Sequence, residues 1–185
     1  MVVTIGRLGP IYDAADLKKT IEELSKTPSA LGSFFGNEPL DVPICQGDIF
    51  KIESKLPYID AEGEAAAVQH PSGLWQILGN TCDLDRSIED VAFSQIAPIE
   101  LFRPSGDAVV DEKLIQYKAY RCFYVPPIKT LGTQHLLTDL TRPVTIHKQS
   151  LIDTGERVAR LNDRAWMLFH CVLVRFLARN DGRFT

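Results

Sequence analysis

The sequence predicts an α+β protein that is mainly β, with a small, strongly bent sheet or barrel and a helix at each end. Short apolar segments separated by Gly and Pro recur through residues 44–147, which is typical of short strands. An amphipathic segment precedes them, and the longest apolar run follows them. The chain has 185 residues, 45% hydrophobic and 24% charged, which suits one folded domain. This composition excludes a wholly disordered chain, a collagen-like repeat and a coiled-coil rod.

Residues 1–43 are predicted to form a helix and a linker. Residues 13–26 have the spacing of a short amphipathic helix, because three apolar side chains recur at i, i+4 and i+7. Asp13 is expected to cap the amino end of this helix. Residues 27–43 contain several Gly and Pro and indicate a linker or surface loop. The apolar stripe of the helix consists of Leu17, Ile21 and Leu24.

Residues 44–147 are predicted to contain the strands of the small barrel. Gly47 opens the first strand, and Gly or Pro residues punctuate the others. Residues 54–72 are predicted to be an acidic excursion between the first two strands. The predicted strands are residues 46–53, 74–78, 91–99, 118–125, 134–140 and 143–147.

Residues 148–185 are predicted to be a helical segment packed on the barrel or at an interface. The apolar run 165–174 is about half as long as a helix that spans a bilayer, so it predicts a buried helix and no membrane contact. Asp163 is expected to cap a helix over residues 164–179. If that helix extends back to residue 156, five arginines share one face: Arg157, Arg160, Arg164, Arg175 and Arg179.

Charge is distributed unevenly along the chain. Residues 142–185 hold eight basic and four acidic residues, a net charge of +4. The whole chain carries −4, so residues 1–141 carry −8. An acidic body argues against a broad nucleic-acid surface, whereas the arginine-rich end leaves a local anionic contact open. We expect the arginine stripe to be a solvated face with internal ion pairs rather than a track for phosphates.

The cysteines and the amino terminus indicate a cytoplasmic protein without a cofactor. The four cysteines lie far apart and form no Cys-x-x-Cys pair, so neither a zinc site nor a disulfide framework is predicted. The four histidines have no metal-ligand spacing, and His170 is expected to be a hydrogen-bonded core residue. Residues 1–15 lack the apolar core of a signal peptide.

The segment from Trp75 to Arg86 is the one that suggests chemistry. A predicted apolar strand is followed by Gly79-Asn80 and then by a group of polar residues: Thr81, Cys82, Asp83 and Arg86. These four are the candidate catalytic residues if the protein is an enzyme. The plainer interpretation makes Cys82 a structural cysteine at a buried strand end and Asp83 the cap of the turn.

The central third of the chain resembles small-barrel proteins of the MazF/PemK type. The resemblance covers residues 44–102 and rests on Gln46-Gly47-Asp48-Ile49, on residues 75–80 and on residues 96–100. It implies an SH3-like barrel, often dimeric, and an endoribonuclease toxin. The family's catalytic arginine precedes the second hydrophobic strand in an Arg-Pro pair, whereas Ser72-Gly73 occupies that place here. The turn at residues 81–84 also resembles turns in bacterial proteins that accompany defence or mobile-element operons.

These observations favour a non-catalytic binding or accessory module of a bacterial or phage defence or toxin–antitoxin-like system. It would act through protein or nucleic-acid contacts, and the expected partner is another subunit or a second copy of this chain. The candidate binding residues are Gln46, Asp48, Asn80, Arg157, Arg160 and Arg164.

Two alternatives involve catalysis. In a MazF/PemK-like endoribonuclease, Arg86 would stabilise phosphate charge, and Thr81 or Asp83 would assist the 2′-hydroxyl. In a cysteine-dependent hydrolase, Cys82 would be the nucleophile.

Overall fold

The computed structural model describes residues 14–26, 34–36, 43–59 and 64–178, so the predicted cap Asp13 and most of the predicted linker lie outside the described residues. The described residues form five helices and nine strands, which confirms the α+β class. The helices are α1 (Ala14–Ser25), α2 (Thr81–Asp85), α3 (Ala108–Ile115), α4 (Lys148–Thr154) and α5 (Asp163–Leu177). The strands are β1 (Ile49–Ile52), β2 (Leu56–Ile59), β3 (Ala65–Val68), β4 (Leu74–Ile77), β5 (Phe93–Leu101), β6 (Cys122–Val125), β7 (Leu136–Asp139), β8 (Val144–His147) and β9 (Gly155–Ala159).

Seven strands form one antiparallel sheet, and β2 and β3 form a separate hairpin within the predicted excursion. The order is β6-β7-β5-β4-β1-β9, and β8 pairs with β5. The sheet is open in the described residues, because the end strands β6 and β9 pair with β7 and β1 and not with each other. The closed barrel predicted from the sequence is therefore corrected to an open, branched sheet.

The long strand β5 explains why the sheet branches. One side of β5 pairs with β4, and the other side pairs first with β8 and then with β7. Leu101 pairs with Leu136, and Ile96 pairs with Val144. The chain therefore takes eight steps from Leu136 to Val144 along a part of β5 that takes only five, which leaves three extra residues between β7 and β8. The extra residues make β7 and β8 diverge. β7 then takes β6 as its next neighbour, while β8 ends at α4.

The sheet separates two apolar cores. Successive side chains of a strand point to opposite faces, so Ile49 joins one core and its neighbour Phe50 joins the other. The larger core lies between the sheet and α1 and α5, where Phe123 packs edge-to-face on Phe169 at 4.9 Å between ring centroids. The smaller core is enclosed by β1, β4, β5, β8 and α4, and it includes the fully buried Leu151 of α4.

The predicted amphipathic helix near the amino end and the predicted apolar helix near the carboxyl end are both confirmed. Ile21 of α1 is buried, and Leu17 and Leu24 pack against the same core as α5. α5 begins at Asp163, but its cap is Asn162, whose Oδ1 accepts a hydrogen bond from the Ala165 N–H at 2.8 Å. Among the described residues, no helix is long and apolar enough to cross a membrane.

The predicted arginine stripe is wrong. Residues 155–159 form β9 rather than the first turns of α5, because they pair with the otherwise open edge of β1. Arg157 therefore lies on a strand and Arg160 in the connection that follows it. Arg164 donates to the carbonyls that end α1, and Arg175 donates to the Tyr117 and Ala119 carbonyls. Arg179 lies outside the described residues.

Candidate functional site

The predicted turn at residues 80–85 is a short helix, α2, whose amino end is fixed by Asn80. The Asn80 Oδ1 accepts a hydrogen bond from the Cys82 N–H at 3.0 Å. Asn80 is thus the cap, and the prediction that Asp83 caps this turn is wrong. The residue before the cap, Gly79, packs directly on the Ser94 side chain, because a Cβ there would meet the Ser94 Oγ. This contact places β5 directly beneath the start of α2.

Two further hydrogen-bonding groups anchor α2 to the sheet and to α4. The Thr81 Oγ1 accepts a hydrogen bond from the Gln46 N–H at 3.0 Å. At the other end, Lys148 Nζ donates to the carbonyls of Asp83 and Arg86 at 3.0 and 2.6 Å. The last carbonyls of a helix lack partners within it and carry partial negative charge, so a buried lysine there stabilises the helix end.

The four predicted catalytic residues lie on α2 or directly after it, and each has different surroundings. The Thr81 hydroxyl is already bonded to the backbone of Gln46. Asp83 and Arg86 are exposed and approach each other only to 3.9 Å. Cys82 is exposed, so the prediction of a buried structural cysteine is wrong. Its thiol has no hydrogen-bonding or ionic partner among the described residues.

Gln46 links α2 to α5 and fixes the tautomer of His170. The Gln46 Nε2 donates to the Leu78 carbonyl at 2.9 Å, so its Oε1 faces the His170 Nδ1 at 3.0 Å. Because an amide oxygen only accepts, the proton of this hydrogen bond lies on Nδ1. The opposite nitrogen, Nε2, is then an acceptor in the neutral ring. Trp166 stacks on the same ring with centroids 5.6 Å apart. The predicted hydrogen bond of His170 is confirmed, but the predicted core position is wrong, because the side chain is only half-buried.

A buried ion pair fixes the segment that carries Gln46. Asp48 is 1% exposed, and its two oxygens accept hydrogen bonds from Arg160 Nε and Nη2 at 3.0 and 2.9 Å. The Cys45 N–H donates to the same carboxylate at 2.9 Å, and Arg157 Nε lies 3.5 Å away. The side chains of Arg157 and Arg160 are 8% and 12% exposed, so the predicted solvated arginine face is wrong here. Both guanidinium groups also donate to the Pro43 carbonyl.

A cleft of about 480 Å³ lies between α2, the beginning of β5 and the second half of α5. Its polar lining includes the predicted residues Gln46 and Asn80, and also Ser94 and His170, which were not predicted as site residues. Its lining residues include no Lys or Arg. The apolar walls are formed by Leu78, Leu84, Val91, Phe93, Leu173 and Leu177.

Ser94 is the unusual group of this cleft. It is 8% exposed, and its Oγ has no hydrogen-bond partner within the described structure. A buried hydroxyl without a partner loses its bonds to water and gains nothing in return. The sequence held a signal for it: residues 93–96 alternate between exposed and buried, and Ser94 is a polar residue at a buried position two residues before Ile96.

A second, smaller hollow of about 240 Å³ lies on the other side of α2. Lys148 and Arg157 contribute to its wall, together with Asp85. Lys148 is already bonded to the carbonyls at the end of α2, and Arg157 lies beside Asp48 and the Pro43 carbonyl. These two cations therefore contribute contacts that hold the fold together.

Neither comparison with known proteins nor a search for metal-binding side chains assigns a function to this site. Among residues 14–26, 34–36, 43–59 and 64–178, no three His, Cys, Asp or Glu side chains are grouped closely enough to hold a metal ion. No family model matches the chain, and no curated protein matches it. The function is therefore argued from the geometry of α2 and the cleft.

Proposed function

We propose that this chain is a non-catalytic binding module that recognises a protein partner through α2 and the adjoining cleft. The observation that carries this proposal is the construction of α2. Its two ends are fixed by Asn80, by the Gln46–Thr81 hydrogen bond and by buried Lys148, while Cys82 and Asp83 stay exposed. A rigid, exposed turn beside an open cleft suits recognition, because little conformational entropy is lost on binding.

The same geometry gives little support to the two catalytic alternatives. A cysteine nucleophile needs a neighbouring base or cation, and the Cys82 thiol has neither among the described residues. An endoribonuclease needs cations aimed at a phosphate. Arg86 is exposed and faces Asp83, and the lining residues of the adjoining cleft include no Lys or Arg.

An SH3-like arrangement remains part of the proposal. Five strands follow the order β9-β1-β4-β5-β8, and α4 joins the two outer strands of this series. Four of them, β1, β4, β5 and β8, enclose the smaller core together with α4. A sheet that wraps around its own core in this way supports the resemblance of residues 44–102 to small-barrel proteins. The cytoplasmic setting and the role in a defence or toxin–antitoxin-like system belong to the same proposal.

The experiment is co-purification with the products of neighbouring genes. The tagged chain is compared with Asp85→Lys, which reverses one exposed charge on α2, and with the matched control Glu112→Lys on α3. Lysine suits the carboxyl end of a helix, so Asp85→Lys should leave α2 intact, as circular dichroism will verify. We expect the wild type and Glu112→Lys to recover the same partner and Asp85→Lys to recover at least threefold less. Recovery of no partner, or equal recovery by all three, would contradict the proposal.

A further inference from the structure

We propose that the cleft receives one large apolar side chain from a basic segment of the partner, with Ser94 and His170 binding the backbone amide groups beside that side chain. This inference rests on the proposed function, because it assigns the chemistry of the partner that the binding module recognises. It is carried by three features of the cleft: a buried hydroxyl with no partner among the described residues, an imidazole of fixed tautomer, and a lining that combines Asp83 with apolar side chains.

The Ser94 hydroxyl supplies a group that a ligand would satisfy. Its Oγ is buried and has no partner among the described residues, although the side chain lines the cleft. In the structure the Oγ packs against Gly79, so we infer that it turns toward the cleft when a ligand binds. A carbonyl oxygen in the cleft would then accept the proton of this hydroxyl and remove the cost of its burial. A backbone carbonyl of an extended peptide offers such an oxygen next to each side chain.

His170 supplies the complementary acceptor. Its Nδ1 proton is committed to Gln46, so Nε2 is the ring nitrogen left to accept from a ligand N–H. Both groups line the cleft and are tied to the segment Leu78-Gly79. Ser94 sits against Gly79, and Gln46, which holds His170, is bonded to the carbonyl of the preceding residue Leu78. One hydroxyl donor and one imidazole acceptor match the carbonyl and N–H of a peptide amide.

The apolar walls and the charge of the cleft indicate which side chains the partner segment carries. A cleft of about 480 Å³ with apolar walls accommodates a large apolar side chain, and burial of such a group drives binding. The adjoining residues 81–92 carry four acidic side chains and one basic one. All four acidic residues are exposed, namely Asp83, Asp85, Glu89 and Asp90. Asp83 lines the cleft itself, and no Lys or Arg does. A partner segment with lysines or arginines around its apolar residue therefore complements the cleft in charge.

The first experiment uses three synthetic peptides, each acetylated and amidated. The test peptide is Lys-Lys-Gly-Phe-Gly-Lys-Lys, one control replaces every Lys with Glu, and the other replaces Phe with Gly. We expect the test peptide to bind with a dissociation constant below about 1 mM, measured by amide chemical shifts in nuclear magnetic resonance. The shifts should concentrate at Gly79, Ser94 and His170, and both controls should bind at least fivefold more weakly. Binding of the glycine control at equal strength would overturn the apolar anchor, and equal binding of the glutamate control would overturn the basic flanks.

The second experiment tests the assigned groups. Ser94→Ala should weaken the test peptide about five- to tenfold, whereas Ser150→Ala, an exposed serine on α4, should leave binding unchanged. Thr145→Trp places a bulky side chain at the exposed edge of the cleft on β8 and should abolish binding without touching a core. Unchanged binding by both cleft variants, or no binding of the test peptide to the wild type, would overturn the inference. If the wild type still recovers a partner in that case, the proposed function stands and only its cleft chemistry fails.

Discussion

The buried pair between Asp48 and Arg160 gives the strongest prediction about stability. Asp48→Asn keeps the shape of the side chain but replaces one acceptor oxygen with an N–H₂ donor. That donor then faces an N–H of Arg160 or of Cys45, and the Arg160 guanidinium loses its buried counter-charge. Removing one partner of a buried ion pair costs about 3–5 kcal/mol, because the remaining charge is left uncompensated. For a chain of this length, the melting temperature should fall by roughly 6–20 °C.

Denaturant unfolding followed by circular dichroism measures this cost, with Glu53→Gln as the matched control. Glu53 pairs with Lys51 at 2.7 Å on the surface, where the two side chains are 77% and 40% exposed. A surface pair of this kind contributes about 0–1 kcal/mol, so the control should unfold close to the wild type. If Asp48→Asn also lost less than about 1 kcal/mol, the buried pair would not be what fixes the segment that carries Gln46.

Three further predictions concern the small core, a histidine and the cysteines. Leu151→Ala should destabilise the fold by about 2–5 kcal/mol in the same unfolding assay, whereas Ile152→Ala, at a position that is 56% exposed, should cost under about 1 kcal/mol. Burial lowers the pKa of His70 below its ordinary 6.5, so the unfolded chain binds the proton more tightly and the free energy of unfolding should fall as the pH drops below about 6.5. A His70→Gln variant should lose less stability between pH 7.5 and 5.5, and an equal loss would contradict this cause. Iodoacetamide should modify exposed Cys82 at least tenfold faster than Cys171, whose thiol pKa is raised by burial, and mass spectrometry of the labelled peptides will reveal any reversed order.

The strongly patterned elements of the fold were predictable from the sequence. The apolar stripe of α1 and the continuous apolar run of α5 each predict a helix with a buried face, and both helices are present in the structure. The strand at residues 74–77 was equally clear, because a short apolar run follows Gly73, which adopts a φ of +65°. In these cases the local pattern and the tertiary packing agree.

The remaining elements depend on contacts between distant residues. Residues 155–159 carry charged side chains that suit a helix, yet they form β9 because the edge of β1 offers backbone partners. The β2–β3 hairpin lies in a stretch that lacks a strong alternating pattern. A closed barrel was expected from short strands punctuated by Gly and Pro, and the register difference between β7 and β8 that makes the sheet branch has no local signal.

The candidate site also contains residues that the sequence indicated and residues that it did not. The sequence indicated the segment around Asn80 because small polar residues follow an apolar strand, and the structure places an exposed helix there. It did not indicate Ser94 or His170 as neighbours of that helix, since they lie about 15 and 90 residues further along the chain. Asp48 and Arg160 were both predicted as binding residues, but their pairing makes them structural supports for the loop that carries Gln46.

Hydrogen–deuterium exchange on the complex with the recovered partner tests the binding module most directly. If α2 and the cleft are the recognition surface, backbone amides in residues 79–95 and in the second half of α5 should exchange more slowly in the complex than in the free chain. Slower exchange confined to α3 or to the edge strand β9, with residues 79–95 unchanged, would contradict the account.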